Sequence, residues 1–419
     1  MKSIVNTYKK YAHKIWLRYL FVFQTQKHAR KLKQLRKKEK INVAFYAIYQ
    51  SIWKYDELYR LLAQDERFNP VIVVCPAVHM GEEHMLTNLR ASLDMFKGRG
   101  YNVVSAYDEQ TKQFIDIKKV VSPDVIFYTN PYHGLIHDKY YITNNTDILT
   151  CYVPYNYGNS CDYQMFSNLP LHNLVWRLYL ETDSHKEYSV LYARNHGANV
   201  VVSGYPGVDP LIKGQANSYP WKLKDESMKR IIWAPHHTVK PAGTVYYSCF
   251  MKYADFMLQM AEKYQDKLQI AFKPHPLLRV KLNDIWGKDK TDEYFKRWEE
   301  LPNCIYTEGE YTDLFLTSDA MIHDSGSFLI EYLYSRKPIM RTNNGEDVAK
   351  MLNPFALDCL AVSYQAETEQ EVENFIVNVI EGKDEKAEER TRFINDRLMP
   401  PNGTTASQNI YNDLINSLL

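Results

Sequence analysis

The stretch "MIHDSGSFLIEYLYSRKPIM" (Met321–Met340) decides the fold class. An apolar run stops at five small or polar residues, from His323 to Ser327, and apolar residues then resume at helical spacing. This pattern predicts a buried strand, a tight turn and a helix, with a further strand beginning near Pro338. At such a turn, free backbone N–H groups and the helix dipole attract anions. The plainer interpretation is an ordinary helix cap, since Asp or Ser before a helix is common.

The same alternation of strand and helix extends through most of the chain. Apolar runs separated by helical segments predict strands within 41–48, 70–76, 101–107, 123–131, 148–155, 198–211, 230–237, 268–276, 304–309, 319–326 and 338–342. Continuous apolar strands of this kind are typical of parallel sheets covered by helices on both faces. We therefore predict an α/β protein with two doubly wound, Rossmann-like domains around an interdomain cleft, where small molecules tend to bind.

The length of 419 residues also favours two domains, because it exceeds the usual size of one hydrophobic core. A polar segment with Gly, Asn, Ser and Pro separates the two sets of strands. The predicted organisation is a basic helical segment (1–40), an N-terminal Rossmann-like domain (41–211), a linker (212–228), a C-terminal Rossmann-like domain (229–399) and a C-terminal helix (400–419).

Charge is distributed unevenly along the chain. Residues 1–40 contain thirteen Lys or Arg and one acidic residue, whereas the other 379 residues contain 38 basic and 49 acidic residues. Aromatic and aliphatic residues from Trp16 to Phe23 lie between the lysines, in a run too short to cross a bilayer and without a signal-peptide cleavage site. We expect a helix that lies on an anionic membrane surface. The alternatives are a helix packed on the body, a docking arm or a nucleic-acid tail, and the acidic remainder argues against nucleic acid.

The cysteines point to a reducing compartment. Six cysteines lie far apart, without a CxxC pair or a secretory leader upstream. This usage is typical of a cytosolic protein with free thiols rather than of a disulfide framework or a zinc site.

Three predicted strands end in residues suited to binding a diphosphate. His236 and His237 follow the strand at 230–237, and Lys273 and His275 stand beside prolines that stiffen the next loop. The third strand leads into the turn described above, whose candidate ligand-binding residues are Asp324, Ser325, Gly326, Ser327 and, one helical turn further on, Glu331. Parallel strands bring their carboxyl ends to one edge of a sheet, so we expect these groups to converge.

Other kinds of site are less well supported by the sequence. The histidines together with Asp324 could ligate zinc or manganese, but neither the HExxH nor the HxH spacing is present, and we expect no resident metal or cofactor. The fingerprints G-x-x-x-x-G-K-[ST] and G-x-G-x-x-G are also absent. Phosphate binding would therefore use a different arrangement.

Four ordered motifs carry a resemblance to a known family. "GYPGVD" (204–209), "IIWAPHHT", "IAFKPHP" and "MIHDSGSFLIEYLYSRKPIM" resemble the CDP-glycerol glycerophosphotransferases, the teichoic-acid polymerases and primases. The resemblance implies a GT-B fold whose C-terminal domain holds the nucleotide diphosphate, with Lys273 and His275 near the pyrophosphate. It maps an Asp-x-Ser-Ser turn onto residues 324–327, with Gly326 where the family usually has Ser, and a helix acid onto Glu331.

One departure from the family concerns the catalytic base. Members commonly carry a Trp-His-Gly element whose histidine activates the acceptor hydroxyl, but here Tyr157 precedes Gly158. A neutral tyrosine, with an ordinary pKa of about 10, is a poorer base near neutrality. Tyr157, His133 and His236 are the candidate bases, with His137 and Asp162 as further possibilities.

These observations predict a transferase at the cytoplasmic face of the bacterial plasma membrane, held there peripherally. It would move glycerol or ribitol phosphate from a CDP-linked donor to a hydroxyl of a lipid-linked surface glycan and release CMP. The alternatives are a GT-B glycosyltransferase or epimerase that uses a nucleotide sugar in capsule or lipopolysaccharide synthesis, and a membrane-bound scaffold that has lost its base.

Overall fold

The chain folds into two compact units. The computed structural model describes residues 2–240 and 246–419, with side chains for residues 15, 16, 19–240 and 246–419. The first unit contains residues 1–158, 162–209 and 400–419, and the second contains residues 159–161 and 210–399. Residues 159–161 thus belong to the second unit although the segments on both sides of them belong to the first. The last twenty residues of the chain again belong to the first unit.

A parallel sheet of seven strands forms the centre of the first unit. Its strands, and a separate two-stranded hairpin formed by β4 and β5, are β1 (Ile41–Ala47), β2 (Phe68–Val74), β3 (Val103–Ser105), β4 (Tyr107–Asp108), β5 (Gln113–Phe114), β6 (Val125–Tyr128), β7 (Leu149–Tyr152), β8 (Arg177–Leu180) and β9 (Val200–Val202). The order across the sheet is β3-β2-β1-β6-β7-β8-β9. The strand order reverses between β1 and β6, which makes their carboxyl ends the switch point of this sheet.

The second unit repeats this arrangement with six parallel strands. They are β10 (Lys229–Ala234), β11 (Leu268–Phe272), β12 (Cys304–Tyr306), β13 (Ala320–His323), β14 (Ile339–Thr342) and β15 (Tyr364–Ala366). Their order, β12-β11-β10-β13-β14-β15, reverses between β10 and β13. Stacked aromatic rings of Trp233, Phe272 and Trp298 fill the core on one face of this sheet.

Helices cover both sheets and connect the strands. They are α1 (Lys2–Leu35), α2 (Asp56–Gln64), α3 (Glu82–Gly98), α4 (Ile117–Val120), α5 (Tyr163–Ser167), α6 (Pro170–Leu174), α7 (Asp183–Tyr192), α8 (Asp209–Lys213), α9 (Phe250–Lys263), α10 (Leu277–Trp286), α11 (Lys288–Glu300), α12 (Thr312–Thr317), α13 (Ser327–Glu331), α14 (Pro354–Ala361), α15 (Glu369–Ile380), α16 (Ala387–Phe393) and α17 (Ala406–Leu418).

Most of the predicted elements are confirmed, and several elements were not predicted. Each apolar run assigned to a strand contains one, and the interrupted stretch forms β13, a turn and α13. The sequence interpretation missed β8, because Arg177 interrupts its apolar pattern, and it missed α10 and α11, whose exposed faces are rich in charge.

Helix α17 completes the core of the first unit. Ile410, Leu414 and Leu418 are buried in the same cluster as Ile41 and Phe45 of β1. The buried carboxylate of Asp209, the last residue of the "GYPGVD" motif, accepts hydrogen bonds from the backbone N–H groups of Ala406 and Ser407, both at 2.9 Å. This motif therefore holds the start of the last helix.

The segment predicted as a linker packs on the second unit. Trp221 is buried, and its indole N–H donates to Thr317 Oγ1 at 2.8 Å. The backbone of Leu223 exchanges two hydrogen bonds with the side-chain amide of Gln269.

Helix α1 has two contrasting faces where its side chains are described. Leu20, Gln24 and Leu35 are buried against the rest of the first unit, and Lys38, just after the helix, pairs with Asp124 at 2.5 Å. On the opposite side, five apolar residues at helical spacing are exposed: Ile15, Trp16, Tyr19, Val22 and Phe23. Within the described part of the chain, every helix is too short or too polar to span a bilayer.

Candidate functional site

The switch point of the second sheet gathers the loops that follow three adjacent strands. The loop after β10 carries His236 and His237, and the loop after β11 carries Lys273 and His275. The ring centres of His236 and His237 lie 5.1 and 4.1 Å from that of His275. The turn after β13 joins them, because Asp324 Oδ1 accepts the backbone N–H of His236 at 2.5 Å. Residues that are distant in sequence thus share one edge of the sheet, as open α/β sheets require for a ligand site.

Hydrogen bonds determine which nitrogen of each ring carries the proton. His275 Nδ1 accepts the backbone N–H of Leu277 at 3.1 Å. His236 Nδ1 accepts the backbone N–H of Thr238 at 3.4 Å and lies 2.9 Å from the hydroxyl of Thr238, which can donate its proton to the same nitrogen. Since Nδ1 is the acceptor in both rings, Nε2 carries the proton in the neutral imidazole.

Burial keeps these rings neutral. Burial, together with a smaller effect of the neighbouring histidines, lowers the pKa of His236 to about 3 and that of His275 to about 4. The pKa of His237 is lowered by the same cause, and its buried Nδ1 has no hydrogen-bond partner among the described residues. Neutral N–H donors can hydrogen-bond a phosphate oxygen without the cost of burying a charge.

The three histidines are also spaced closely enough to hold a metal ion. One ring nitrogen from each lies within 4.8 Å of the others. A metal at Nε2 would require the proton to move to Nδ1, which would place it against the N–H of Leu277. The hydrogen bonds therefore favour an anion over a cation at this cluster.

Asp324 holds the loops together from inside the protein. Its side chain is 2% exposed, and Oδ2 accepts the backbone N–H of Cys249 at 2.6 Å, in addition to the bond from His236. Burial raises the pKa of Asp324 to about 6, against the opposing effects of these bonds and of buried Arg341. Both oxygens are committed to the backbone, so Asp324 positions the loop rather than offering itself to a ligand.

The turn itself combines a helix cap with a close contact. Ser325 Oγ accepts the N–H of Phe328 at 3.3 Å, and the N–H of Ser325 donates to His323 Nδ1 at 3.1 Å. The ordinary capping interpretation thus describes Ser325. At Gly326, an added Cβ would lie 2.8 Å from the side-chain nitrogen of Asn159, a residue that sequence reasoning did not select.

Lys273 and Glu331 contact the loop that contains Gly309 and Tyr311. The sequence did not point to this loop as part of the site. Lys273 is buried, and its Nζ donates to the carbonyl of Gly309 at 2.9 Å and lies 5.9 Å from the ring centre of Tyr311. Burial lowers the pKa of Lys273 to about 8, so the amine is mostly charged at pH 7. The hydroxyl of Tyr311 donates to Glu331 Oε2. The position of Tyr311, just before α12, carried no motif that could have revealed this role.

A cavity of about 350 Å³ opens at the same edge of the second sheet. Its lining residues come from the loops after β10, β14 and β15 and from the start of α9, and include Ser248, Lys252, Asn343 and Asn344. Cys249 also lines this cavity, and its backbone N–H donates a hydrogen bond to Asp324. The cavity therefore lies next to the loop after β10 that Asp324 holds in position.

The candidate bases of the first unit occupy different environments. Tyr157 is fully buried, in edge contact with the rings of His185 and Tyr205. Gly158 beside it donates its N–H to Glu181 at 3.0 Å and is bonded through its carbonyl to His185 at 2.6 Å. Recognition of β8 as a strand would have drawn attention to Glu181 and His185, which follow it.

The other candidates lie nearer the surface. His133 is exposed, follows β6 at the switch point of the first sheet, and has Nε2 3.1 Å from Asp138 Oδ1. His137 and Asp162 each accept a backbone N–H at the start of a short helix, from Lys139 and Met165 respectively.

Comparisons with solved structures identify the fold. A Staphylococcus aureus MnaA–UDP structure superposes with a TM-score of 0.55 at 14% identity, and covers 91% of this chain and 98% of that one. A UDP-GlcNAc 2-epimerase from Neisseria meningitidis, bound to UDP-GlcNAc, gives 0.55 at 14% identity, with coverages of 90% and 100%. A related protein from Listeria monocytogenes gives 0.57 at 14% identity, with coverages of 90% and 96%. These likenesses concern the fold alone and confirm the predicted GT-B-like class.

Sequence comparisons identify the family. The teichoic acid ribitol-phosphate polymerase TarL of Staphylococcus aureus is 27% identical over 148 residues, which are 34% of this chain and 24% of that protein. The chain thus matches about a quarter of the length of this curated relative. The family model for CDP-glycerol:poly(glycerophosphate) glycerophosphotransferase matches residues 169–416. That match covers more than half of the chain and bears out the resemblance of its motifs, and the chain belongs to this family.

Proposed function

We propose that this protein transfers glycerol phosphate or ribitol phosphate from a CDP-linked donor to a hydroxyl of a membrane-linked surface glycan. The observation that carries the proposal is the convergence of His236, Lys273, His275 and the turn at 324–327 on one sheet edge, in a member of this family. The acceptor oxygen attacks the β-phosphorus, the bond from that phosphorus to the bridging oxygen breaks, and CMP leaves. The acceptor proton passes to a base.

Positive potential and hydrogen-bond donors at the two phosphates are the main requirement of such a transfer. The Nε2–H groups of His236 and His275 supply donors, and Lys273 supplies positive charge. The committed oxygens of Asp324 keep its negative charge engaged with the backbone, away from the phosphates. We assign Glu331, Ser325, Gly326 and Ser327 to the same donor site, and His237 to its edge.

The proposal is tested by incubating purified protein with different nucleotide donors. CDP-glycerol, CDP-ribitol and UDP-linked sugars are offered with a lipid-linked glycan, and the released nucleotide is identified by chromatography. CMP release with either CDP-alditol supports the proposal. UDP release supports the nucleotide-sugar alternative, and binding of CDP-alditols without turnover on any acceptor supports the scaffold alternative.

His133 is the base that we favour. It has a carboxylate partner, Asp138, that can orient the imidazole, whereas Tyr157 is buried and His236 presents a protonated Nε2. Replacing His133 by Gln is expected to lower kcat about 100-fold or more, with little change in donor KM. His84→Gln on α3 is the matched control, and turnover at the wild-type rate in His133→Gln would exclude the role.

We further propose that the exposed apolar face of α1 binds the membrane. Trp16, Tyr19 and Val22 lie on this face, with the positive charge of residues 1–40 beside it. Val22→Glu is expected to abolish co-sedimentation with vesicles that contain phosphatidylglycerol, since a carboxylate would enter the headgroup region. Thr25→Glu makes the same charge change off this face and should retain most binding. Equal binding by the two variants would refute the assignment.

A further inference from the structure

The segment at residues 159–161 is held in the second unit by hydrogen bonds of its backbone. The carbonyl of Asn159 accepts the N–H of Asn353 at 2.8 Å, and Ser160 forms a bridge with Leu352. The N–H of Cys161 donates to the carbonyl of Met351 at 3.2 Å. These bonds fix the position of Asn159 without using its side chain.

The side chain of Asn159 occupies the space that any side chain at position 326 would need. Gly326 has φ −81° and ψ −46°, a right-handed conformation open to every residue, so the glycine is not required by the backbone. An added Cβ would lie 2.8 Å from Asn159 Nδ2 and 3.2 Å from Oδ1. The absence of a side chain at position 326 therefore leaves the space that the side-chain amide of Asn159 occupies.

The side-chain amide is open to contact with a ligand. Asn159 is 8% exposed, and its amide makes no hydrogen bond with another described residue, yet neither amide atom is among the fully buried unpaired polar atoms, so both reach the surface. An amide held beside Gly326 offers two N–H donors at the turn to which the donor phosphates are assigned.

We propose that Asn159 is a donor-binding residue whose Nδ2–H group hydrogen-bonds an oxygen of the nucleotide's diphosphate. It would supply, from a distant part of the chain, the donor that a hydroxyl at position 326 could otherwise provide. This inference rests on the proposed donor site and adds to it a residue of the segment 159–161, which belongs to the second unit but is separated in sequence from the rest of it.

Calorimetric titration with CDP tests the assignment. Asn159→Ala is expected to weaken binding about tenfold, since one hydrogen bond to a charged group is lost. Asn159→Asp, which has the same shape but carries negative charge, should weaken it further. Asn374→Ala, an exposed amide of α15, is the control and should bind as the wild type does. Thermal melting of each variant establishes that it is folded.

A double variant separates ligand binding from packing. Gly326→Ser alone should weaken CDP binding, because its side chain meets the amide. Asn159→Ala/Gly326→Ser should recover affinity to within about threefold of the wild type, since a hydroxyl then fills the vacated space. Additive losses, or unchanged affinity in Asn159→Ala, would overturn the inference alone. If the wild type binds neither CDP nor UDP, the proposed function fails as well.

Discussion

Replacing Asp324 by alanine is expected to lower the free energy of unfolding of the second unit by about 3–5 kcal/mol. The carboxylate accepts two backbone N–H groups, and its charge offsets part of the cost of burying the guanidinium of Arg341, which is 1% exposed. Without the carboxylate, two backbone N–H groups lose their hydrogen-bond acceptor, and the buried guanidinium of Arg341 loses a nearby opposite charge. Urea unfolding followed by tryptophan fluorescence measures the change, because Trp233 and Trp298 lie in this core.

The surface pair of Asp358 and Arg397 provides the control. Both side chains are about half exposed and 3.4 Å apart, so Asp358→Ala should cost less than about 1 kcal/mol. A loss below 1 kcal/mol in Asp324→Ala would contradict the positioning role.

The same carboxylate predicts a dependence on pH. Its pKa rises from an ordinary value of 3.8 to about 6 in the folded protein, so the folded state holds the proton more tightly than the unfolded chain. The unfolding free energy of the wild type, relative to Asp324→Asn, should therefore fall as pH rises from about 4 to about 6 and stay level above. Measurements of both proteins at a series of pH values provide the comparison.

Replacing His275 by alanine is expected to lower kcat/KM for the CDP-linked donor about 100- to 1000-fold, the usual effect of removing one donor to a developing charge. The proton on Nε2 also predicts which replacement preserves function. Glutamine can place an amide N–H near the position of Nε2, whereas asparagine reaches only the position of Nδ1. His275→Gln should therefore retain more activity than His275→Asn.

Metal titrations test the alternative that His236, His237 and His275 bind a metal ion. If wild-type protein binds Zn²⁺ or Mn²⁺ tightly, and His236→Ala and His275→Ala each abolish that binding, the three histidines are ligands. The account of His275 as a hydrogen-bond donor would then be wrong.

The sequence predicted the sheets well because their strands are buried on both faces. Such strands leave continuous apolar runs, as at Val71–Val74 and Ile231–Ala234, and these are visible without knowledge of the partner strands. β8 was lost because charged residues occupy both ends of the run, with Arg177 partly exposed and Glu181 paired with a backbone amide.

The candidate site was predictable only where it follows strand ends. His236 and His275 could be placed together because parallel strands finish at one edge. Asn159, Tyr311 and Arg341 could not, since each acts through a contact between segments far apart in sequence and belongs to no motif. Arg341 looks like an ordinary end of a strand until its burial is known.

The return of α17 to the first unit has a consequence for how the chain is made. A ribosome releases residues 406–418 only after all of the second unit has been synthesised, and Ile410, Leu414 and Leu418 belong to the core that β1 began to form some 370 residues earlier. During translation that core stays open along one side, with apolar surface of the kind that chaperones bind. A protein fragment that ends at Asp209 would lack α17, and its core would stay exposed on that side. Expression of the first unit alone therefore requires α17 to be joined to it by a short linker.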